Sequence, residues 1–278
     1  MSDPKIGLAL GGGGARGLAH IPMLEAFDEL GLKPAIIAGC SMGALVGAAY
    51  ACGMTGKDMR RHTEKILNNR MDALRHVFGA RKSKITDIFS LKGMLSLHLH
   101  GEKLAELALP NSLPENIEDT QIPFRVITTD FESMEERVLS RGSIVKAVAA
   151  SIAIPGLIVG PTIDGHTHVD GGVTNPVPFN HVREGMDVVV AIDVTGKPKA
   201  FSRKHPSNME LAVGSLLIMF NQLAELRRAA APPDIYIKPE VDLFSTGDYF
   251  KPREIFEAAA ASKDKLKRAL ELRLSAVT

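Results

Sequence analysis

Apolar runs that stop at glycines alternate with stretches of helical periodicity at the start of the chain. Ile6 to Leu10 is uninterrupted and apolar, which predicts a buried strand. Leu18 to Leu30 has the apolar spacing of a helix that ends at Gly31. Ala35 to Ala38 predicts a second strand, and the small apolar residues of Met42 to Ala51 predict a buried helix. This alternation predicts a parallel sheet covered by helices on both faces.

The same pattern returns in the second half of the chain. Phe124 to Thr128 and Val188 to Val194 predict central strands, and Asp234 to Ile237 predicts a last one. Asp164-Gly165 separates two short apolar runs, which predicts a hairpin because this dipeptide suits a type I′ turn.

Between these two parts the alternation is lost. Charged residues there are mixed with apolar residues that follow no single period, so we predict a variable helical insertion, or lid, over about 57–120. A second helical region is predicted over about 208–278. We expect one domain over 1–278, an α/β fold of three layers, α/β/α, around a mostly parallel central sheet.

Composition narrows the class of protein further. The chain has 278 residues, of which 45% are hydrophobic, so it can bury a large core. Its net charge is +1, without the basic excess that nucleic-acid binding favours. Cys40 and Cys52 are too few for a disulfide framework and are expected as reduced core thiols.

We find no secretory leader and no apolar run of about 20 residues, so we expect a cytoplasmic protein and leave open a peripheral contact with the inner membrane face.

A G-x-S-x-G sequence, with Gly39, Ser41 and Gly43, lies between the second predicted strand and its helix. A serine hydroxyl is a weak nucleophile, and a sharp strand-to-helix turn exposes it and tolerates only small neighbours. The turn also brings the first free N–H groups of the helix near the serine oxygen. The sequence indicates a nucleophile at Ser41, and the alternative is a glycine-lined helix start that Ser41 caps.

A run of glycines, Gly11 to Gly14, follows the first predicted strand. Such a run lets N–H groups point into one concavity, which suits an anion. A dinucleotide-binding fingerprint requires a carboxylate at the end of the second strand. Here the second strand ends at Ser41 and has no carboxylate. A phosphate-binding loop requires lysine where Leu18 stands. An oxyanion hole for acyl transfer uses the same N–H geometry and pairs with a nucleophile on the adjacent strand.

Asp170 is followed by Gly171 and Gly172, which predicts either a carboxylate held in a tight loop or an ordinary turn. With His166 and His168 it forms H-x-H-x-D, whose side chains share one face of a strand. We predict no metal there, because the next residues offer no further ligand.

Two other histidines bear on whether the chain has a catalytic triad. His181 has the chain position of a triad histidine in the order Ser, Asp, His, but it follows a proline-rich loop and is expected at the surface. His20 in the first helix is expected to be a packed or capping residue.

Four sequences occur in order along the chain: Gly12 to His20, Gly39 to Gly43, Ser151 to Gly156 and Val169 to Pro178. Together they resemble the patatin-like phospholipase family, in its bacterial branch, over about residues 5–195. The resemblance implies the three-layer patatin-like fold and a serine acyl-ester hydrolase that acts on lipid esters. It implies no cofactor and no nucleic acid, and it leaves the oligomeric state open.

The resemblance also assigns roles to individual residues. It implies a dyad of Ser41 as the nucleophile and Asp170 as the base, without a histidine. Arg16 is expected among the oxyanion-hole and substrate-binding residues, where it would brace the glycine loop by donating to backbone carbonyls. The backbone groups implied for the oxyanion are those of Gly12, Gly13, Gly14 and Met42. The motif glycines are Gly39, Gly43, Gly171 and Gly172.

The chain departs from the family pattern beside the nucleophile. Cys40 replaces a frequent threonine, and Met42 replaces a frequent alanine, so we expect a narrowed acyl pocket. Apolar residues of the insertion and of Leu211 to Phe220 are expected in the core or in an acyl channel or lid. Two other functions stay open: a non-catalytic anion or nucleotide-binding module, and a lipid-binding regulatory protein on the same fold.

Overall fold

The computed structural model describes residues 4–68, 99–196 and 207–277. Its strands are β1 (Ile6–Leu10), β2 (Ile36–Cys40), β3 (Leu99–His100), β4 (Phe124–Asp130), β5 (Glu135–Leu139), β6 (Ile158–Val159), β7 (Thr162–Ile163), β8 (His166–Asp170), β9 (Val188–Ile192) and β10 (Ile235–Ile237). Its α-helices are α1 (His20–Glu29), α2 (Met42–Ala51), α3 (Gly56–Asn68), α4 (Gly101–Ala108), α5 (Ile144–Ser151), α6 (Asn208–Ala230), α7 (Pro252–Ala258) and α8 (Ala260–Ser275).

Within these ranges the central sheet has eight strands in the order β10-β9-β1-β2-β4-β8-β7, and β5 pairs with β4. Strands β10, β9, β1, β2 and β4 run parallel, while β5 and β8 are antiparallel to β4. The side chains of β1 alternate between two apolar clusters, with Leu8 and Leu10 in one and Ala9 in the other. Helices α1, α2 and α8 contribute to the first cluster, and Ala224 of α6 contributes to the second. The predicted three-layer α/β/α fold is therefore confirmed.

Several predicted elements have different bounds or partners. The turn of the hairpin is confirmed, since Asp164 (φ 51°) and Gly165 (φ 85°) join β7 to β8. Strand β6 instead pairs with β3 in a separate two-stranded sheet. The stretch from Leu18 starts in a 3₁₀-helix, Gly14–Ala19, and α1 begins only at His20.

The insertion is described in part. Helices α3 and α4 lie within it, and residues 69–98 lie outside the described residues. The division of the chain into one domain with an insertion and a C-terminal helical region stays a prediction. No α-helix in the described ranges is long and apolar enough to cross a membrane.

The pairing around β4 brings two distant parts of the chain together. Residues 126–130 of β4 pair with β5 on one edge, so β2 and β8 must share the other edge. Along that edge Cys40 pairs with Ile127, and Asp170 pairs with Thr128. Because β8 runs opposite to β2, the two strands end against each other, with Asp170 as the last residue of β8 and Ser41 directly after β2.

Candidate active site

Ser41 occupies a sharp turn between β2 and α2. Its φ of 52° and ψ of −122° are unusual for a residue with a side chain, and such conformations cost about 1–3 kcal/mol. A Cβ on Gly39 would lie 2.5 Å from the carbonyl oxygen of Gly43, and a Cβ on Gly43 would lie 2.0 Å from that of Leu10. The two glycines are therefore required by close packing of backbone against backbone.

The Ser41 side chain makes no capping hydrogen bond to α2, although the residue stands at the N-cap position. Its hydroxyl is therefore not used as a helix cap. Ser41 is buried, with 5% of its surface exposed, and it lines a cavity.

Asp170, at the end of β8, is 1% exposed. Its Oδ1 accepts a hydrogen bond of 2.7 Å from the N–H of Gly172, and the thiol of Cys40 lies 3.9 Å from the same oxygen. Its Oδ2 is buried and has no hydrogen-bond partner of standard geometry among the described residues. Burial raises the pKa of the carboxyl to about 6, although the Ser41 hydroxyl, the Gly172 N–H and the Cys40 thiol each offset part of the rise. One oxygen of the carboxylate is thus anchored by Gly172, and the Ser41 hydroxyl lies close enough to the carboxylate to lower its pKa.

The glycine loop lies directly against Ser41. A Cβ on Gly12 would lie 3.1 Å from the Cβ of Ser41, so any larger residue there would be in tight contact with Ser41. The N–H of Gly12 donates to the carbonyl of Pro176 at 2.9 Å. The backbone donor of Gly12 is therefore already bonded in this structure, and its expected role as an oxyanion donor stays a prediction.

Other N–H groups in the turn and the loop are open. Those of Gly13, Gly14 and Met42 donate to no carbonyl of the described residues. Met42 is the first residue of α2, where N–H groups have no partner within the helix. The side chain of Met42 also lines the cavity, as expected from its size.

Arg16 is buried beneath the loop and is 1% exposed. Its Nε donates to the carbonyl of Gly13 at 3.5 Å, which agrees with the expected brace. Burial lowers its pKa, while the nearby carboxylates of Asp242 and Asp193 raise it. Arg16 is not among the residues that line the cavity described below, and its expected place in the oxyanion hole or substrate site stays a prediction.

His20 supports the same loop from α1. It is fully buried, and its Nε2 donates to the carbonyl of Gly11 at 2.8 Å. Burial lowers its pKa to about 4, so the ring is neutral at physiological pH. His20 is a packed residue, as expected.

An apolar cavity of about 340 Å³ opens beside Ser41. The part of the insertion that is described forms much of its wall, through α3 and α4. Tyr249 and Phe250, which precede α7, form another part, and sequence patterns gave no signal for them. The lining residues are Leu18, Ser41, Met42, Leu45, His62, Thr63, Ile66, Leu67, Leu104, Leu107, Ala108, Ile152, Ile154, Ile158, Tyr249 and Phe250.

The stretch Leu211 to Phe220 does not line this cavity. It belongs to α6, where Phe220 is buried against Gly172 and where Leu211 and Met219 are exposed. Its expected place in an acyl channel is therefore not found, because α6 packs on the loop that follows Asp170.

The histidines near β8 have partners other than Ser41. His168 Nδ1 lies 2.9 Å from the hydroxyl of Thr128, and His166 Nδ1 lies 3.1 Å from Asp130. His181 pairs with Glu136 and is half-buried. In the described part of the chain, no histidine is hydrogen-bonded to Ser41 or Asp170.

Asp130, Glu132 and His166 have ligand atoms within 4.8 Å of one another. Asp130 Oδ1 already accepts from the N–H groups of Glu132 and Ser133, and Arg137 lies 3.4 Å from its other oxygen. The Asp130 carboxylate is thus already bonded to the turn that follows β4, and we assign no metal to the cluster.

Comparison with known proteins gives the family of the chain. Residues 8–183 match the patatin-like phospholipase family. An NTE family protein of Mycobacterium tuberculosis is 34% identical over 209 residues, which are 75% of this chain and 54% of that protein. The patatin-like phospholipase domain-containing protein 6 of Homo sapiens is 26% identical over 286 residues, which are 92% of this chain and 20% of that protein.

The fold has a counterpart among solved structures. VipD from Legionella pneumophila superposes with a TM-score of 0.51 at 19% identity, over 98% of this chain and 67% of VipD. The chain spans about half the length of its mycobacterial relative. The matched segment contains the turn at Ser41, the glycine loop and the Asp170 loop, and the chain belongs to the patatin-like phospholipase family.

Proposed function

We propose that the chain hydrolyses acyl esters of lipid-like molecules, with Ser41 as the nucleophile and Asp170 as the general base. The closeness of the Ser41 hydroxyl to the buried carboxylate of Asp170, next to an apolar cavity that Ser41 lines, carries this proposal. The family of the chain supports the same substrate class. Lipid surfaces are the expected source of substrate, and contact with them is part of the proposal.

The acylation step follows from the two oxygens of Asp170. Oδ1 is held by Gly172 and fixes the carboxylate, while Oδ2 accepts the proton of the Ser41 hydroxyl. The serine oxygen then attacks the ester carbonyl, and negative charge forms on the carbonyl oxygen. The open N–H groups of Gly13, Gly14 and Met42 are the proposed donors to this oxyanion. The alcohol leaves with the proton from Asp170, and the acyl group stays on Ser41.

Deacylation uses the same carboxylate. Asp170 takes a proton from water, which attacks the acyl-serine, and then returns the proton to Ser41 as the fatty acid departs. The apolar cavity holds the acyl chain through both steps.

Hydrolysis of a p-nitrophenyl ester series, below the concentration at which the esters aggregate, tests this function. Each buried methylene contributes about 0.8 kcal/mol, so we expect kcat/KM to rise at least about 100-fold from acetate to octanoate. The cavity of about 340 Å³ holds roughly ten groups the size of a water molecule, so the rise should stop near about ten carbons.

Ala108→Phe, which fills the cavity, should reduce octanoate hydrolysis far more than acetate hydrolysis. Ala229→Phe, at an exposed position of α6, is the matched control and should change neither. Folded protein that hydrolyses no ester, and that nucleotides stabilise against heat, would favour the anion-binding module instead.

The pH dependence of kcat/KM should report the base. Asp170 must be ionised to accept a proton, so kcat/KM should be constant above its pKa and fall about tenfold per pH unit below it. Since burial raises this pKa to about 6, we expect the acid limb near pH 6. His20, with a pKa of about 4, cannot produce that limb. A rate profile with its midpoint near the ordinary aspartate value of about 4 would contradict a buried base.

A further inference from the structure

We infer that Ser151 is a positioning residue for the reaction, whose hydroxyl holds the Ser41 turn against β4. This inference rests on the proposed function, because it concerns the geometry of the nucleophile and the base. Ser151 is the last residue of α5, and none of its surface is exposed.

The Ser151 hydroxyl is bonded in two directions. Its Oγ accepts a hydrogen bond of 2.8 Å from the N–H of Ser41, and it donates one of 2.6 Å to the carbonyl of Ile127. A hydroxyl has a single proton, so the donation to Ile127 leaves only lone pairs toward Ser41. The direction of both bonds is therefore fixed, and alanine, without the hydroxyl, can make neither bond.

The same short segment also holds the base. The carbonyl of Ala153 accepts a hydrogen bond of 2.9 Å from the N–H of Asp170. Gly171 approaches the Ile127 carbonyl so closely that a Cβ there would lie 2.2 Å from its oxygen. Residues 151–153 thus bond to the backbone of the nucleophile and to that of the base, at the junction where β2 and β8 end on β4.

The hydrogen bond from the Ser41 N–H to Ser151 also determines which N–H groups remain available to the substrate. Because the Ser41 N–H points to Ser151, it is not available to an oxyanion. Without the Ser151 hydroxyl, the buried N–H of Ser41 and the carbonyl of Ile127 both lose a partner. The turn can then satisfy them only by rotating, which moves the serine oxygen relative to Asp170 Oδ2.

Ser151→Ala tests the inference against the wild-type protein, with the ester series and a fluorophosphonate probe. A displacement of about 1 Å can cost about 100-fold in rate, so we expect kcat and the labelling rate to fall about 30- to 100-fold. Ser151 does not line the cavity, so KM should change less than about threefold. Ser151→Thr keeps the hydroxyl and should restore most of kcat. Ser262→Ala, which removes a buried hydroxyl from α8, should leave kcat unchanged.

The outcomes separate this inference from the proposed function. Wild-type protein that is neither labelled nor active would overturn the proposed function itself. Active wild type with a folded Ser151→Ala variant whose kcat lies within about threefold of it would overturn the role of Ser151. If Ser151→Ala does not fold, Ser151→Cys, whose thiol bonds more weakly, should show the intermediate kcat. Failure of every Ser151 variant to fold, while Ser262→Ala folds, would also overturn the inference, because it would leave Ser151 with a structural role alone.

Discussion

Ser41→Ala should reduce ester turnover by about 10⁴-fold or more, because the variant lacks the atom that forms the acyl-enzyme. The rest of the site remains, since alanine can adopt the same backbone conformation as serine. Residual turnover would then come from the oxyanion donors and the cavity acting on water. Product release in the ester assay measures the loss, and the mass of the tryptic peptide that contains Ser41 measures labelling by a fluorophosphonate.

The controls for this variant test whether Ser41 itself is the nucleophile. Wild-type protein should gain one probe adduct on Ser41, and the alanine variant should gain none. Ser262→Ala, which removes another buried serine hydroxyl, should keep both labelling and turnover. An adduct on a different residue, or turnover that survives in Ser41→Ala, would show that another group carries the chemistry.

Asp170→Asn should lower kcat by about 10³- to 10⁴-fold while the fold is retained. The amide has the shape of the carboxylate, and its oxygen can still accept the N–H of Gly172. Its nitrogen would then lie in the place of Oδ2, where it donates to the Ser41 oxygen and cannot accept the proton. The acid limb of the pH profile should vanish together with the base.

The stability of Asp170→Asn should differ from wild type with a definite sign. The folded-state pKa of Asp170, about 6, lies above its ordinary value of 3.8. The protonated form is therefore favoured in the folded state, and this stabilisation is lost as the pH rises through about 6. Relative to wild type, the variant should gain up to about 3 kcal/mol in the free energy of unfolding between about pH 4 and about pH 8.

Asp164→Asn is the matched control for Asp170→Asn. Asp164 lies in the exposed turn of the same hairpin, at a positive φ that asparagine tolerates. This variant should keep turnover, the acid limb and the pH dependence of unfolding. Near-normal turnover in Asp170→Asn would remove Asp170 from the dyad, whatever its effect on stability.

Much of the local structure at the site could be predicted without coordinates. The apolar run of β1, the small residues of α2 and the spacing of Gly39 and Gly43 around Ser41 each report a local requirement. A strand buried on both faces needs continuous apolar residues, and a turn packed on backbone needs glycine. Each of these requirements restricts the residue types of a single segment, so it can be recognised in the sequence of that segment.

Other elements gave no such signal. Strand β5 contains Glu135, Glu136 and Arg137 and has no apolar alternation, because it lies at an exposed edge of the sheet. Ser151, Tyr249 and Phe250 are ordinary residues in their own segments. Their roles arise from partners far along the chain, such as the N–H of Ser41 and the wall of the cavity.

The sequence by itself determined the α/β fold, the turn at Ser41 and the family to which the chain belongs, since these depend on local patterns and on motifs in order. Only the tertiary structure decided that β2 and β8 end against each other on β4, that Gly12 is already bonded, and that Asp170 keeps one open, buried oxygen. The physical reason is that the burial of a side chain and its hydrogen-bond partners depend on residues that are close in space but distant in the sequence. The pKa of the Asp170 carboxyl is raised to about 6 by the neighbours that bury it, and those neighbours come from distant parts of the chain.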